Sequence, residues 1–359
     1  MQTPTLNSKQ ATPSISLEDT LSPEAAWDQL AGESPHGSIF MTSRWLSSWI
    51  NSIGRSSRLL ILRAHLDQAL VGAAAFVEEN GVIEFAGKGP SDYADILVSA
   101  KLSEDLAQTV TDLILKRAAA AVTGFRAFNL GRIQSASPSL RRLQNSVFYC
   151  AVDAQVETPR MQMTAAPEAL RKKSLRRHAK GLEKRGEVTY ATAQTGIHAL
   201  PKLQEFFALH IARWADTDTP SAFLQEDQRL FFEELLRNLD DTGWLRFTEV
   251  RLDGELVAAH IGFLLNGHFT WYKPCYAPTL AKLSPGEVLI KHLIEMCVEE
   301  NATVFDFTIG AEAFKLRFAT DIPMVHRAYL TDSAIRFHSR RTLSAINDKV
   351  NGFRQKAAK

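Results

Sequence analysis

Cysteine is scarce in this chain. Only Cys150, Cys275 and Cys297 occur, far apart and with no CxxC pair, which excludes a zinc knuckle or a dithiol redox motif. So odd and sparse a set offers no disulfide framework and fits a reducing compartment. Net charge is nearly absent as well: 41 Lys and Arg against 40 Asp and Glu leave +1, whereas a dedicated nucleic-acid-binding domain is strongly basic. Any basic site must therefore be local. No apolar run approaches the ~18 residues of a membrane span, and Met1–Asp19 has neither the charged start nor the apolar stretch of a signal peptide. These absences lead to the expectation of a cytoplasmic protein without a transmembrane segment and without a metal site.

What is present is an ordinary globular composition, 45% hydrophobic and 23% charged. At roughly 100–200 residues per domain, 359 residues suggest two domains. The expected division is a disordered leader over 1–20, a first half over 21–158, a second over 159–331, and a basic helix or tail over 332–359. In the first half, strands are expected at Leu59–Arg63, Leu70–Val77, Val82–Phe85 and Phe125–Leu130, with Asn80-Gly81 as a hairpin turn. Ser103 caps a helix running to about Ala121. In the second half, helices are expected at about 167–185, 200–215, 226–240 and 285–300. Strands are expected at Leu245–Arg251, Glu255–Leu265, His268–Cys275, Thr303–Thr308 and Val325–Leu330.

An internal repeat organises these elements. Residues 66–81 align without a gap to 252–267, and seven of the sixteen positions are identical: Leu66, Asp67, Leu70, Val71, Ala73, Asn80 and Gly81. The register offset is 186 from Leu66 against Leu252 through Gly81 against Gly267. Farther on, Phe128-Asn129-Leu130 parallels Phe305-Asp306-Phe307 at an offset of 177. Each copy runs strand, turn, strand, Asn-Gly hairpin, strand, then helix and strand, which is the order of a duplicated unit.

The second copy is the more specific. Leu283-Ser284-Pro285-Gly286-Glu287 opens a helix, and the strand after it continues as Phe305-Asp306-Phe307-Thr308-Ile309-Gly310-Ala311-Glu312-Ala313-Phe314-Lys315-Leu316-Arg317-Phe318. These residues, with Phe40–Trp45 and Ser91-Asp92-Tyr93-Ala94-Asp95 in the first copy, resemble the CelD-like acetyltransferases associated with cellulose biosynthesis, themselves similar to Fem-type peptidyltransferases. The resemblance covers about residues 38–330. It implies an α+β fold of tandem GNAT-like halves, each a mixed β-sheet flanked by helices. It also implies N-acyl transfer from acyl-CoA, with acetyl-CoA as co-substrate, to an amine on a small molecule or glycan precursor, in polysaccharide or cell-envelope biosynthesis. The alternatives are a Fem-like transferase that uses aminoacyl-tRNA, the one reading in which nucleic acid is a partner, and a catalytically silent binding module.

The candidate site residues follow. Ser284, Pro285 and Glu287 have the spacing of a capping box. The same helix start could instead hold a pyrophosphate, with Ser284 and Gly286 close to it, and Lys315 is a further candidate for the donor. Asp306 stands inside an apolar strand, where an acid is costly unless paired. Lys315 and Arg317 are its candidate partners, and either Asp306 or Glu312 could be the base that frees an attacking amine. His260 replaces the Ala74 of the first copy and is either a second candidate base or a packed core residue. Tyr272 either donates to a leaving thiolate or packs. Asp92, Tyr93 and Asp95 suit an amine or hydroxylated acceptor. Arg171–Arg185 carries eight basic residues against one acid, Glu183, either as a solvated face or as an anion site.

Overall fold

The computed structural model describes residues 12–34 and 36–340. Fourteen strands are described: β1 (Ser14–Glu18), β2 (Arg58–Leu66), β3 (Ala69–Glu79), β4 (Val82–Phe85), β5 (Leu97–Val98), β6 (Ala127–Gln134), β7 (Tyr149–Glu157), β8 (Arg160–Gln162), β9 (Val188–Ala193), β10 (Leu245–Leu252), β11 (Glu255–Leu265), β12 (His268–Tyr276), β13 (Val304–Asp306) and β14 (Met324–Thr331). They form two mixed sheets. The first runs β1-β2-β3-β4-β6-β14-β7, with β5 on β3; the second runs β8-β13-β12-β11-β10-β9.

The duplication seen in the sequence is physical. In both copies the tight turns place their two central residues in the left-handed region: Asp67 and Gln68 against Asp253 and Gly254, Asn80 and Gly81 against Asn266 and Gly267. That conformation matches the twist of the flanking strands. A β-bulge falls between Ala64 and His65 in one copy and between Val250 and Arg251 in the other, again 186 residues apart. The parallel pairs Val82↔Ala127 and Ile83↔Phe128 correspond to His268↔Val304 and Phe269↔Phe305. The helices Glu104–Ala120 and Pro285–Glu299 are likewise equivalent in order. The second helix buries Leu289, Leu293 and Cys297 beside Ile290 and Ile294, a stripe of i, i+4 spacing laid on its sheet.

Two stretches depart from the sequence expectation. Residues 14–18, inside the stretch expected to be a disordered leader, pair with β2; residues 1–11 lie outside the described residues. Alternation of part-buried Ile15 and Leu17 against the core gives this short strand its anchor. The strand β14 falls within 159–331, yet it is inserted between β6 and β7 of the first sheet. By contrast β8, at the start of the second half, stays with its own sheet and closes its edge against β13. The exchange is one-way, from the second half to the first. In the C-terminal stretch 332–359, residues 334–340 are helical and 341–359 lie outside the described residues.

The halves share one hydrophobic core. Phe40, Trp45 and Tyr93 of the first pack with Phe231, Phe232, Phe263 and Tyr272 of the second, with edge-to-face contacts such as Trp45–Phe231 at 5.0 Å and Phe40–Tyr272 at 5.3 Å. Such aromatic pairs add specificity to area burial. The matched segment Pro90–Tyr93 runs along this junction: Ser91 accepts from the Trp45 indole at 2.9 Å, the Pro90 carbonyl accepts from the Tyr272 hydroxyl at 2.6 Å, and Tyr93 reaches Asp306.

Candidate active site

The second sheet opens where β12 and β13 part. They pair over His268–Thr270 only, and β12 then continues to Tyr276 alone on that side. Two residues cause the parting. Pro274 brings no N–H to a ladder. Asp306 turns the chain out of the sheet, because its carboxylate accepts the Thr308 N–H at 2.7 Å and so holds Thr308, a β-branched residue, in the left-handed region at φ 59°. Along the open edge lies a cavity of about 420 Å³, bounded by Trp271 and Tyr276 of β12, by Ser284, Gly286 and Glu287 at the start of the helix Pro285–Glu299, by Arg213 and Trp214, and by Glu312 and Phe314.

The helix start differs from a capping box. Ser284 is itself left-handed, at φ 53° and ψ 54°, and its side chain makes no capping bond. Glu287 turns instead to Arg317, in an ion pair, and to His178 Nδ1 at 3.3 Å. Burial would raise its carboxyl, but the Arg317 guanidinium, with the His178 contact, holds it below the usual carboxylate value. The acid at this helix start is therefore compensated, and the positive end of the helix faces the cavity. Gly286 lines the wall with its backbone; a Cβ there would stand 3.3 Å from the Tyr276 ring.

Of the four candidate catalytic residues, only Glu312 reaches the cavity. Its side chain is 57% exposed and its one ion pair among the described residues is with Lys315, at 2.9 Å. Asp306 is fully buried and saturated: the Tyr93 hydroxyl donates to it at 2.9 and 3.0 Å, His268 Nε2 lies 3.0 Å away, and the Thr308 N–H completes the set. Burial pushes its carboxyl up, but the hydrogen bond and charge of His268, with Arg160 and Thr308, hold it down. Lys315 and Arg317, its partners by expectation, bind elsewhere. His260 is sealed in the sheet, where Nε2 accepts the Tyr272 N–H at 3.1 Å and the ring stacks on Trp271 at 4.7 Å. Burial lowers its pKa to about 3, so the imidazole is neutral. The Tyr272 hydroxyl is occupied by Pro90, and burial with the nearby Asp92 charge drives it well above the ordinary phenol value. Lys315 is buried, its ammonium held by the Ile309 carbonyl at 2.6 Å and by Glu312; it fixes the loop that presents Glu312.

The acceptor candidates also separate. Tyr93 is the bridge to Asp306. Asp95 accepts from Ser137 at 2.5 Å and from the Ile96 N–H at 2.8 Å, and burial raises its carboxyl to about 6. Asp92 is the one that faces other charges. Burial raises it, against the pull of Lys273, Thr308, Arg132 and Lys315, while Lys273 on the open strand is lowered by burial and held up by Asp92. The two form no ion pair; the Lys273 ammonium sits 4.4 Å over the Tyr272 ring. Arg213, on the helix Leu203–Trp214, adds a cation at this opening. Its guanidinium lies 4.5 Å over the Tyr276 ring at the cavity wall and forms no ion pair among the described residues. The basic stretch 171–185 touches residues of the cavity wall, Glu287 through His178 and Phe318 through Lys172; its helix, Lys173–Glu183, buries Leu175, Ala179 and Leu182 and turns Arg176, Arg177 and Lys180 outward.

Residues 169–316 match the model of an acetyltransferase (GNAT) domain family. The fold is GNAT, in tandem. No curated protein matches the chain in sequence. Among solved structures it is similar to FemX, with a TM-score of 0.64 at 12% identity over 85% of this chain and 95% of that one. It is also similar to L-PGS from Bacillus licheniformis, with a TM-score of 0.60 at 13% identity over 91% and 97%. A third likeness is the C-terminal domain of a putative lysylphosphatidylglycerol synthetase from Agrobacterium fabrum, with a TM-score of 0.55 at 10% identity over 86% and 90%. The matched GNAT segment contains the parted strand β12, the helix start at Gly286 and Glu312. Among the described residues no group of side chains could hold a metal ion, and no helix is long and apolar enough to cross a membrane.

Proposed function

We propose that the chain is an N-acyltransferase that moves an acyl group, acetyl in the first instance, from coenzyme A to an amine. One observation carries this reading: the cavity at the parting of β12 and β13 opens onto the N-terminus of the helix Pro285–Glu299 within the GNAT segment. A helix start suits a pyrophosphate, and Arg213 adds a guanidinium that is free to pair with a phosphate. The thioester would lie along the unpaired edge of β12. Groups along a strand point alternately to its two sides, so that edge offers N–H donors to the developing oxyanion. Glu312 would take the proton from the incoming ammonium, since only the free amine has the lone pair that attacks. The amine adds to the carbonyl carbon, the tetrahedral intermediate collapses, and the thiolate leaves with a proton as free coenzyme A. The resemblance to CelD-like proteins supports a glycan-precursor amine as the acceptor class. Calorimetry with acetyl-CoA and free coenzyme A, followed by thiol release across a panel of amino sugars and amines, tests the reading. Absence of binding by either ligand would remove it.

A second reading is favoured by the basic helix. Arg171, Lys173, Arg176, Arg177, Lys180, Lys184 and Arg185 are exposed and form no ion pair among the described residues, and their helix reaches the cavity wall through His178, 3.3 Å from Glu287. That surface suits a polyanionic donor such as an aminoacyl-tRNA. Binding of tRNA that weakens steeply with salt, without acetyl-CoA binding, selects it.

A further inference from the structure

The cleft of the second half has a counterpart in the first. There β4 and β6 pair in parallel through Val82 and Ile83 only, as β12 and β13 do at the matching positions, and then part. The gap is a cavity of about 220 Å³. Among the described residues no helix start faces it. Its polar walls are side chains instead.

Three features converge on this cavity. Arg132 is left-handed at φ 68°, a conformation that a long side chain adopts only when its surroundings enforce it. They do: its N–H donates to Gln155 Oε1 at 2.9 Å and its carbonyl accepts the Ala94 N–H at 3.1 Å. Gly131 and Arg132 also form the irregularity in the β6–β14 pairing, where the register shifts between His326 and Ala328. Bulges re-aim side chains beside sites, and this one places Arg132 and Arg327 on the same cavity. The Arg132 Nη1 is wholly buried and has no hydrogen-bond partner. Arg327 forms no ion pair among the described residues; Asp153, opposite it in register, bonds to Arg340 instead. Among the described residues lining the cavity the one carboxylate is Glu84, already taken by Lys88 at 2.8 Å and Asn129 at 2.6 Å; Asp92, which feels the charge of Arg132, is not part of the lining. The third feature is the turn at Gly89, with φ 99°, where a Cβ would meet nothing within 4 Å, so a ligand can approach the backbone.

A buried guanidinium nitrogen without a partner is costly, and strain held in place by a bulge needs a reason. We propose that this cleft is a second ligand site, built for an oxyanion: a phosphate or carboxylate group held between Arg132 and Arg327. Both groups offer the pair of acceptor oxygens that a guanidinium fork matches. The site is independent of the acyl-transfer reading, and its ligand is distinct from one at the helix start near Gly286.

Calorimetry on the full chain with inorganic phosphate and, separately, malonate tests it. Binding of at least one probe is expected, weakened roughly tenfold or more by Arg327→Gln and by Arg132→Gly, and unchanged by Gly286→Asp. Preference for phosphate assigns the site to phosphate esters, and preference for malonate to carboxylates. Arg132→Gly fits the left-handed backbone, so its melting temperature should be equal to or above that of the parent, which separates lost binding from lost folding. No heat with either probe into the millimolar range, binding indifferent to both arginine changes, or binding abolished by Gly286→Asp would each overturn the site. Acetyl-CoA binding bears on none of these outcomes.

Discussion

The Tyr93 hydroxyl of the first half donates to both carboxylate oxygens of Asp306 in the second, at 2.9 and 3.0 Å, with both side chains fully enclosed. The same carboxylate bonds the Thr308 N–H and so ends β13. One buried acid therefore ties the halves together and opens the cleft between β12 and β13.

That geometry makes Tyr93→Phe a stability variant. Removing the hydroxyl strips one donor from a buried charge and should cost about 1–3 kcal/mol in chemical denaturation. Asp306→Asn should cost at least as much, because His268 and Tyr93 lose a charged acceptor. Both should reduce turnover only in proportion to the folded fraction. A large loss of kcat in a fully folded Asp306→Asn protein would return Asp306 to the role of base.

Glu312 carries the opposite expectation. It faces the cavity, and its only ion pair among the described residues is with the lysine that anchors its own loop. Glu312→Gln should lower kcat by roughly 10²–10⁴-fold, the range for loss of a general base, with the melting temperature and the affinity for acetyl-CoA little changed. A change confined to KM for the donor would make Glu312 a binding residue.

How much of this was legible beforehand depends on whether the signal was local. Val82–Phe85 and Glu255–Leu265 have the bounds that alternation and the Asn-Gly turns predicted, because hairpins are written in adjacent residues. The placement of β14 in the first sheet was not legible, since pairing Met324–Thr331 with β6 and β7 is decided by which edges are free in three dimensions. Tyr149–Glu157, absent from the expectation, was legible by the same rule, since Cys150, Val152, Ala154 and Val156 alternate with Asp153, Gln155 and Glu157. At the site, Gly286 and Glu312 could be found from the motif. The left-handed Ser284 could not, because Ser-Pro-Gly-Glu reads equally as a cap. Arg213 and Lys273 gain meaning only from what they face: a tyrosine ring at the cavity wall, and a carboxylate contributed by the other half.

Acid stability should report the buried histidines. Burial lowers both His260 and His210 from 6.5 to about 3. Between those values the unfolded chain binds a proton at each ring that the folded chain refuses, so stability is fully present above about pH 6.5 and falls as pH drops toward 3. The slope is about 1.4 kcal/mol per pH unit for each group at most. Asp95, raised to about 6, works against this between its unfolded value of 3.8 and 6, because there the folded state holds the extra proton. His260→Gln keeps an acceptor for the Tyr272 N–H and should flatten the acid limb of a denaturation-versus-pH series. An unchanged slope would show that His260 is protonated in the folded chain.

The duplication supplies its own control for the donor site. Gly286 lies in the first turn of the helix Pro285–Glu299 at the wall of the larger cavity; Pro285 has no N–H, those of Glu287 and Val288 reach back to the Ser284 carbonyl at 2.9 and 3.3 Å, and the acid beside it, Glu287, pairs with Arg317 and contacts His178. A carboxylate placed at Gly286 would have no such partner. It would also crowd Tyr276, whose ring lies 3.3 Å from the new Cβ. Gly89 sits in the matching cleft of the first half, where no helix begins and a Cβ has open space. Its φ of 99° makes any side chain there strained, at a cost of about 1–3 kcal/mol, so both variants are compared well below their melting temperatures. Gly286→Asp should abolish acetyl-CoA binding in calorimetry, whereas Gly89→Asp should leave it nearly intact. With the phosphate or malonate probe the order should reverse, because an aspartate at Gly89 places like charge beside the oxyanion that Arg132 and Arg327 are arranged to hold. Equal loss of acetyl-CoA binding in two folded variants would mean that the two clefts are not separate sites, and loss only in Gly89→Asp would move the donor to the first half.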